Sequence, residues 1–215
     1  LSKIVKPEIA IITNISETHL ENFSALKDIA KAKAEIINNI LKGGNIILNK
    51  DSKFFSFLSN KAKKKGINVI SFSSKKKADI CLLGTKKIRN HYRLKVIIKN
   101  KIFYFDTIYS TNNFINNILA CISTLSALNL NLDKMKKKFI NFTIPNGRGD
   151  IKVVKKFNKR FKFIDESYNA NPLSMISAIK NMNYYKRKAR AQKLVLLGDM
   201  LELGKKSKKL HRALS

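Results

Sequence analysis

Three loops stand out because each follows a strand-like run, and in open α/β sheets ligands bind beyond the carboxyl ends of the strands. The first, Asn14-Ile-Ser-Glu-Thr-His19, offers an amide and an imidazole that can hold a metal ion or a phosphate. A hydrogen-bonded loop histidine is the plainer reading of His19. The second, Glu166-Ser-Tyr-Asn-Ala-Asn171, places one carboxylate and the side chains of Tyr168, Asn169 and Asn171 just before Pro172. Proline suits the first turn of a helix, and helix N-termini attract anions, so this loop fits a phosphate or a carboxylate. Asn171 serves equally well as a plain helix cap. The third, Leu197-Gly-Asp-Met-Leu-Glu-Leu-Gly204, also reads as a strand-to-helix turn with Asp199 as a local cap. A fourth feature is Lys33, which interrupts the apolar stripe Leu26, Ile29, Ala30, Ile36, Ile37, Ile40. It can snorkel to solvent or serve a role near the His19 loop.

The elements that must position these residues alternate. A buried strand over 8–13 leads through the His19 loop to Ser24, an N-cap for a helix over 25–41 that Gly43-Gly44 stops. A short strand at 45–49, a basic helix at 52–65 capped by Asp51, and strands at 67–72 and 78–83 continue the rhythm of a parallel sheet. The period then changes to a hairpin over 93–106, turning at Asn100-Lys101, followed by helices at 112–129 and 132–141. Pro145-Asn-Gly-Arg-Gly149 is the best boundary. Beyond it, 151–157 and 160–165 form a hairpin turning at Asn158-Lys159. A helix from Pro172 to about Asn183, a strand at Lys193–Leu197 and a helix from about Lys205 follow. The fold class is α/β.

Composition excludes a disordered or fibrous chain: of 215 residues, 44% are hydrophobic and 27% charged. The net charge of +30 invites a nucleic-acid partner, but 37 of the 44 basic residues are Lys and only 7 are Arg. Lys, 28 Ile and 23 Asn make up 88 of the 215 residues, a mixture that A/T-rich codons produce. A nucleic-acid binder more often uses Arg, whose planar fork suits phosphates and bases. Cys81 and Cys121 form no CxxC pair and read as free thiols in a reducing compartment. No apolar run reaches the roughly 20 residues of a membrane span, and no signal-peptide pattern opens the chain. A cytoplasmic protein is expected. The start at Leu1 and the end inside a helical pattern read as those of an internal fragment.

Pro7-Glu-Ile-Ala-Ile-Ile-Thr-Asn-Ile-Ser-Glu-Thr-His-Leu-Glu-Asn-Phe-Ser24 and Ala30-Lys-Ala-Lys-Ala-Glu-Ile36 resemble the central ATPase domain of the Mur ligases. Asn112 to Ala120 and Gly147-Arg148 are similar to that family's later ATP-site segments. Ile164-Asp-Glu-Ser-Tyr-Asn-Ala-Asn-Pro172 and the Leu197–Gly204 loop resemble those members that use D-alanyl-D-alanine. The resemblance implies that residues 1–146 belong to a P-loop-type ATPase domain with a mostly parallel sheet. It makes 147–215 the start of a Rossmann-like C-terminal domain.

The activity it implies is ATP-dependent addition of D-alanyl-D-alanine to UDP-N-acetylmuramoyl-tripeptide through an acyl phosphate, in the bacterial cytoplasm, by a monomer using ATP and Mg²⁺. His19 would help hold Mg²⁺, with Asn14 in the same loop, and Lys33 would be carbamylated. Asn116 would contact the adenine, Arg148 would reach the nucleotide from the domain junction, and Glu166 would lie near the ATP. Tyr168, Asn169 and Asn171 would shape the loop where substrate and nucleotide meet.

Three departures matter. Ser110-Thr-Asn-Asn113 stands where the family often has Gly-x-His-Asn, and Asp165-Glu166 where many members have Asp-Asp. No Gly-x-x-x-x-Gly-Lys-[Ser/Thr] loop occurs in these residues; in the family it would precede Leu1, so residues 1–215 by themselves are expected to be inactive. The rival readings are another Mur-type or folylpolyglutamate synthase-like ligase, and a basic nucleic-acid-binding module. The Tyr168-Asn-Ala-Asn-Pro172 loop disfavours the other ligases. The scatter of Lys and the lack of an aromatic recognition motif disfavour the module.

Overall fold

The computed structural model describes residues 2–16, 21, 23, 25–185 and 192–214. The candidate ligand His19 and the expected cap Ser24 lie outside them. The chain divides into two compact units, Leu1–Ile15 with Lys27–Phe142 and Ser16–Leu26 with Thr143–Ser215.

The first unit is an α/β domain on a six-stranded sheet with its strands in sequence order: β1 (Ile9–Ile12), β2 (Asn45–Asn49), β3 (Asn68–Ser73), β4 (Ile80–Ile88), β5 (His91–Ile98) and β6 (Lys101–Thr107). β1 to β4 are parallel; β4, β5 and β6 are antiparallel. The hydrophobic pattern explains the change. Ile46, Ile47 and Leu48 are consecutive and fully buried, as a strand covered on both faces requires. In β5, buried Leu94, Val96 and Ile98 alternate with exposed Arg93 and Lys95, as in a sheet with one wet face.

Helix α1 (Ser2–Val5) precedes the sheet. Helices α2 (Leu26–Lys33), α3 (Phe55–Lys64) and α4 (Asn112–Ala127) follow β1, β2 and β6. α4 carries the main core: Ile115, Ile118, Leu119 and Ile122 cluster with Ile47, Phe72, Ile80 and Phe105. Gly44 is required by contact. A Cβ there would sit 2.6 Å from the Glu8 carbonyl oxygen and 2.7 Å from the Ile40 side chain, where β2 enters the sheet beside β1.

The structure corrects several expected elements. The α-helix expected over 25–41 ends at Lys33, and Ala34–Asn39 continue as a 3₁₀ helix. Ile36, Ile37, Asn38 and Asn39 are weak helix formers, and the tighter three-residue turn puts Ala34, Ile37 and Ile40 into the core at spacing three. Asp51 does not cap α3. Its carboxylate accepts from Ser73 Oγ at 2.6 Å and Ser74 N–H at 2.8 Å. β4 runs past residue 83 to Ile88, because an irregularity between Leu82 and Gly84 resets the alternation that marks a strand. The helix expected over 132–141 is two short 3₁₀ turns, Asp133–Met135 and Lys138–Asn141. The Lys136 carbonyl accepts from the Asp106 N–H at 2.8 Å, a tertiary bond in place of a helical one.

In the second unit β7 (Asp150–Lys156) and β8 (Lys159–Asp165) form the expected hairpin. Its turn is Phe157-Asn158, both left-handed with φ of 53° and 54°, one residue before the expected position. α5 (Pro172–Asn181) and α6 (Ser207–Arg212) follow. The strand expected at Lys193–Leu197 is irregular chain, with Leu194 and Leu196 79% and 85% exposed. No strand lies beside it among the described residues, and an extended segment without a ladder partner gains nothing from strand geometry.

Candidate functional site

In the first unit, the carboxyl end of β1 delivers Thr13 and Asn14 to a cavity of about 190 Å³, lined also by Ile11, Ile12, Lys33 and Ile36. Asn14 and Lys33, nineteen positions apart in sequence, therefore share one cavity. Lys33 is exposed and is the last residue of α2, where the winding tightens. It does not break a buried stripe as the sequence suggests, because the change of period carries the core positions past it.

Magnesium prefers hard oxygen donors. Thr13 and Asn14 supply neutral oxygens to the cavity, whereas the ammonium of Lys33 repels a cation. The residues present fit the ion only with Lys33 converted to a carbamate, which replaces the positive charge by anionic oxygens. Among the described residues no three His, Cys, Asp or Glu side chains gather as a ready metal cluster.

Asn116 lies in the first turns of α4, and its Oδ1 is buried without a hydrogen-bond partner among the described residues. A buried lone acceptor is costly, and a base amino group is one donor that would satisfy it. Thr13 is not among the sequence candidates, although its place as the residue after β1 is the clue.

In the second unit, Gly147-Arg148-Gly149 and Asp165 to Asn171 come together. The Tyr168 N–H donates to the Gly147 carbonyl at 3.0 Å, and the Gly149 N–H to the Asp165 carbonyl at 2.6 Å. The Arg148 guanidinium stacks on the Tyr168 ring at 3.9 Å, which orients its N–H groups without neutralising them. Gly149 has φ of +95°, and a Cβ there would stand 3.0 Å from Glu166 Oε1. Burial against this turn pushes the Glu166 carboxyl above its usual range, and Asp165 and Asp150 push the same way. Asp165 itself is held below the carboxylate range by the Ser167 hydroxyl and N–H. Asp150, also absent from the sequence candidates, accepts from the Gly147 N–H at 2.9 Å.

Asn171 caps α5. Its Oδ1 accepts from the Ser174 N–H at 2.9 Å, and Ser174 Oγ accepts from the Asn171 N–H at 3.0 Å, a reciprocal capping box. Asn169 is exposed. In the third loop, His211 Nε2 accepts from the Met200 N–H at 2.9 Å and lies 3.7 Å from Asp199, so Asp199 faces α6 and caps no helix. Among the described residues no helix is long and apolar enough to cross a membrane.

In an α/β sheet, a cavity at the carboxyl ends of the parallel strands is where ligands bind. Residues 1–125 match the Mur ligase middle domain. The chain belongs to the Mur ligase family. It is 33% identical over all its 215 residues to the UDP-N-acetylmuramoyl-tripeptide–D-alanyl-D-alanine ligase of Rickettsia prowazekii (strain Madrid E), covering 46% of that protein. It is 34% identical to the ligase of the same name from Buchnera aphidicola subsp. Baizongia pistaciae (strain Bp), over 98% of this chain and 44% of that one. A crystal structure of MurF from Acinetobacter baumannii superposes with a TM-score of 0.86 at 26% identity, over 99% of this chain and 44% of that one. The chain thus spans less than half the length of these three proteins.

Proposed function

We propose that this chain is part of an ATP-dependent, cytoplasmic bacterial ligase that joins D-alanyl-D-alanine to UDP-N-acetylmuramoyl-tripeptide, a step in building the peptidoglycan precursor. The observation that carries the reading is that similarity to ligases of that name runs through both compact units, from end to end of the chain. The first unit is read as the central ATPase domain and the second as the beginning of a Rossmann-like C-terminal domain.

In this reading the tripeptide carboxylate attacks the γ-phosphorus of ATP, releasing ADP and forming an acyl phosphate. The amine of D-alanyl-D-alanine then attacks that carbonyl, loses a proton and expels phosphate. Such transfers need positioning and neutralisation of charge, not a protein nucleophile. Thr13, Asn14, His19 and a carbamylated Lys33 would hold Mg²⁺, which supplies positive charge beside the phosphates. The lone acceptor of Asn116 receives the adenine amino group. Arg148, whose guanidinium stacks on Tyr168, would supply positive charge to phosphate oxygens. Glu166 turns a carboxyl with raised proton affinity toward the same turn. Asn169 and the amide nitrogen of Asn171 would meet the peptide acceptor.

The test is amine specificity. The full-length gene product, given ATP, Mg²⁺ and the nucleotide tripeptide, is expected to couple D-alanyl-D-alanine and to leave single amino acids unused. Coupling of a single amino acid in preference to the dipeptide would assign the chain to another branch of the family.

A further inference from the structure

Asn49 closes β2 and is only 9% exposed. Its Nδ2 donates to the Thr13 carbonyl at 3.3 Å, and its Oδ1 accepts from the Asp51 N–H at 2.9 Å. Asp51 in turn accepts from Ser73 Oγ, Ser74 N–H and Ser74 Oγ at 2.6, 2.8 and 3.1 Å. Two side chains thus tie together the carboxyl ends of three adjacent parallel strands, and neither has a part in the reaction described above. The tie to β1 is the informative one. The Thr13 carbonyl and the Asn14 N–H belong to one planar peptide unit, so holding the carbonyl holds the plane from which Asn14 departs. Thr13 and Asn14 line the cavity with Lys33.

We infer that Asn49 is a positioning residue for the nucleotide site, fixing the Thr13-Asn14 peptide at the cavity from the neighbouring strand. The inference rests on the reading of that cavity as the nucleotide–magnesium site. Asn49 touches no reacting atom; it acts through the backbone it holds. Thr13 lies just past the last β1–β2 ladder pair, Ile12 with Leu48, so at this carbonyl the ladder no longer supplies a donor. The amide of Asn49 is the donor, and its other end is anchored so that it cannot swing away.

The experiment uses the full-length protein and three variants. Asn49→Asp keeps an acceptor for the Asp51 N–H but has no donor for Thr13. Asn49→Ser is a shorter second variant that cannot reach it. Asp79→Asn is the control: Asp79 accepts from the Ser71 N–H at 2.8 Å, beside β3 and away from β1. Both Asn49 variants are expected to lower kcat/KM for ATP by about tenfold or more through KM, since small misplacements weaken positioned contacts. Amide exchange across Thr13 and Asn14 should quicken in the same variants without nucleotide. Asp79→Asn should lower Tm while leaving both readouts at wild-type values. Asn49 variants that lose only Tm, with KM for ATP and exchange unchanged, would overturn the inference and leave Asn49 a structural residue. A wild-type protein that neither binds ATP nor ligates would sink the functional reading and this inference with it. Wild-type activity with unaltered variants would sink this inference alone.

Discussion

An ammonium group beside the phosphates of a bound nucleotide is ordinary, but beside a magnesium ion it is a liability. Lys33 shares its cavity with Thr13 and Asn14, so its chemical state decides what the cavity binds. In the proposed ligase it carries a carbamate. Lys33→Ala in the full-length protein should reduce ligation by roughly 10²-fold or more, the scale of losing a group that stabilises transition-state charge. Added formate or acetate should restore part of the rate by supplying the missing oxygens. A variant with the wild-type rate would remove Lys33 from the chemistry. A second residue-scale case concerns stability. The Arg93 guanidinium grips Asp106 through Nε at 2.7 Å and Nη2 at 2.9 Å, with the carboxylate buried and the arginine partly in solvent. Its hydrogen bond and charge hold the Asp106 carboxyl below the usual range. A depressed folded pKa means the pair stabilises fully above the ordinary carboxylate range and fades as pH falls through the folded value. Asp106→Asn should therefore cost about 1–3 kcal/mol near neutral pH, and the gap to wild type should close under acid, read by denaturant unfolding. A gap independent of pH would contradict this. Asn14 and Lys33 stand out by residue type and place in the sequence, whereas Asn116 and Arg148 are singled out only through the family resemblance. The Arg93–Asp106 pair is not, because thirteen residues and a hairpin register separate its members.

At the scale of elements, the loop before α5 shows how a cap and a ligand site compete for the same side chain. The Asn171 oxygen is committed to the Ser174 N–H, and only its amide nitrogen is left to meet a substrate. Asn171→Ala should lower stability by about 1 kcal/mol, as loss of an N-cap does. Asn171→Asp keeps the cap and removes the amide donor. If it retains both Tm and ligation rate, Asn171 is a cap alone; a rate loss at unchanged Tm, the expected outcome, places the donor on the substrate. Strands, helices and hairpins with clear periods or turn residues are read from sequence to within a few positions, as at Asn45–Asn49, Asn112–Ala127 and the β7–β8 hairpin. Elements set by tertiary bonds are not. The Asp106–Lys136 backbone bond splits the helix expected over 132–141, and Asp51 abandons its cap position for Ser73 and Ser74. Lys193–Leu197 has strand composition, but composition alone does not provide a neighbour.

At the scale of the whole molecule, the charge of +30 dominates the sequence and explains little of the site. Lysines are spread along the chain, while Asn14 and Lys33 share the cavity after β1, and Arg148, Glu166 and Tyr168 meet at the Gly147–Gly149 turn. Motif order reveals the family because several short segments recur in sequence at the expected spacing, each beside a structural element that presents it. His19 is equally visible in the sequence, but it lies outside the described residues, and its place in the metal site is a proposal. In the proposed function the full-length protein activates a peptide carboxylate as an acyl phosphate and passes it to D-alanyl-D-alanine. The most direct test labels the terminal carboxylate of the nucleotide tripeptide with oxygen-18 and supplies ATP, Mg²⁺ and D-alanyl-D-alanine. The acyl-phosphate route predicts the pentapeptide product together with one labelled oxygen in the released phosphate, since the attacking carboxylate oxygen leaves with phosphorus. Unlabelled phosphate alongside product would contradict that route, and absence of the product would contradict the ligase itself.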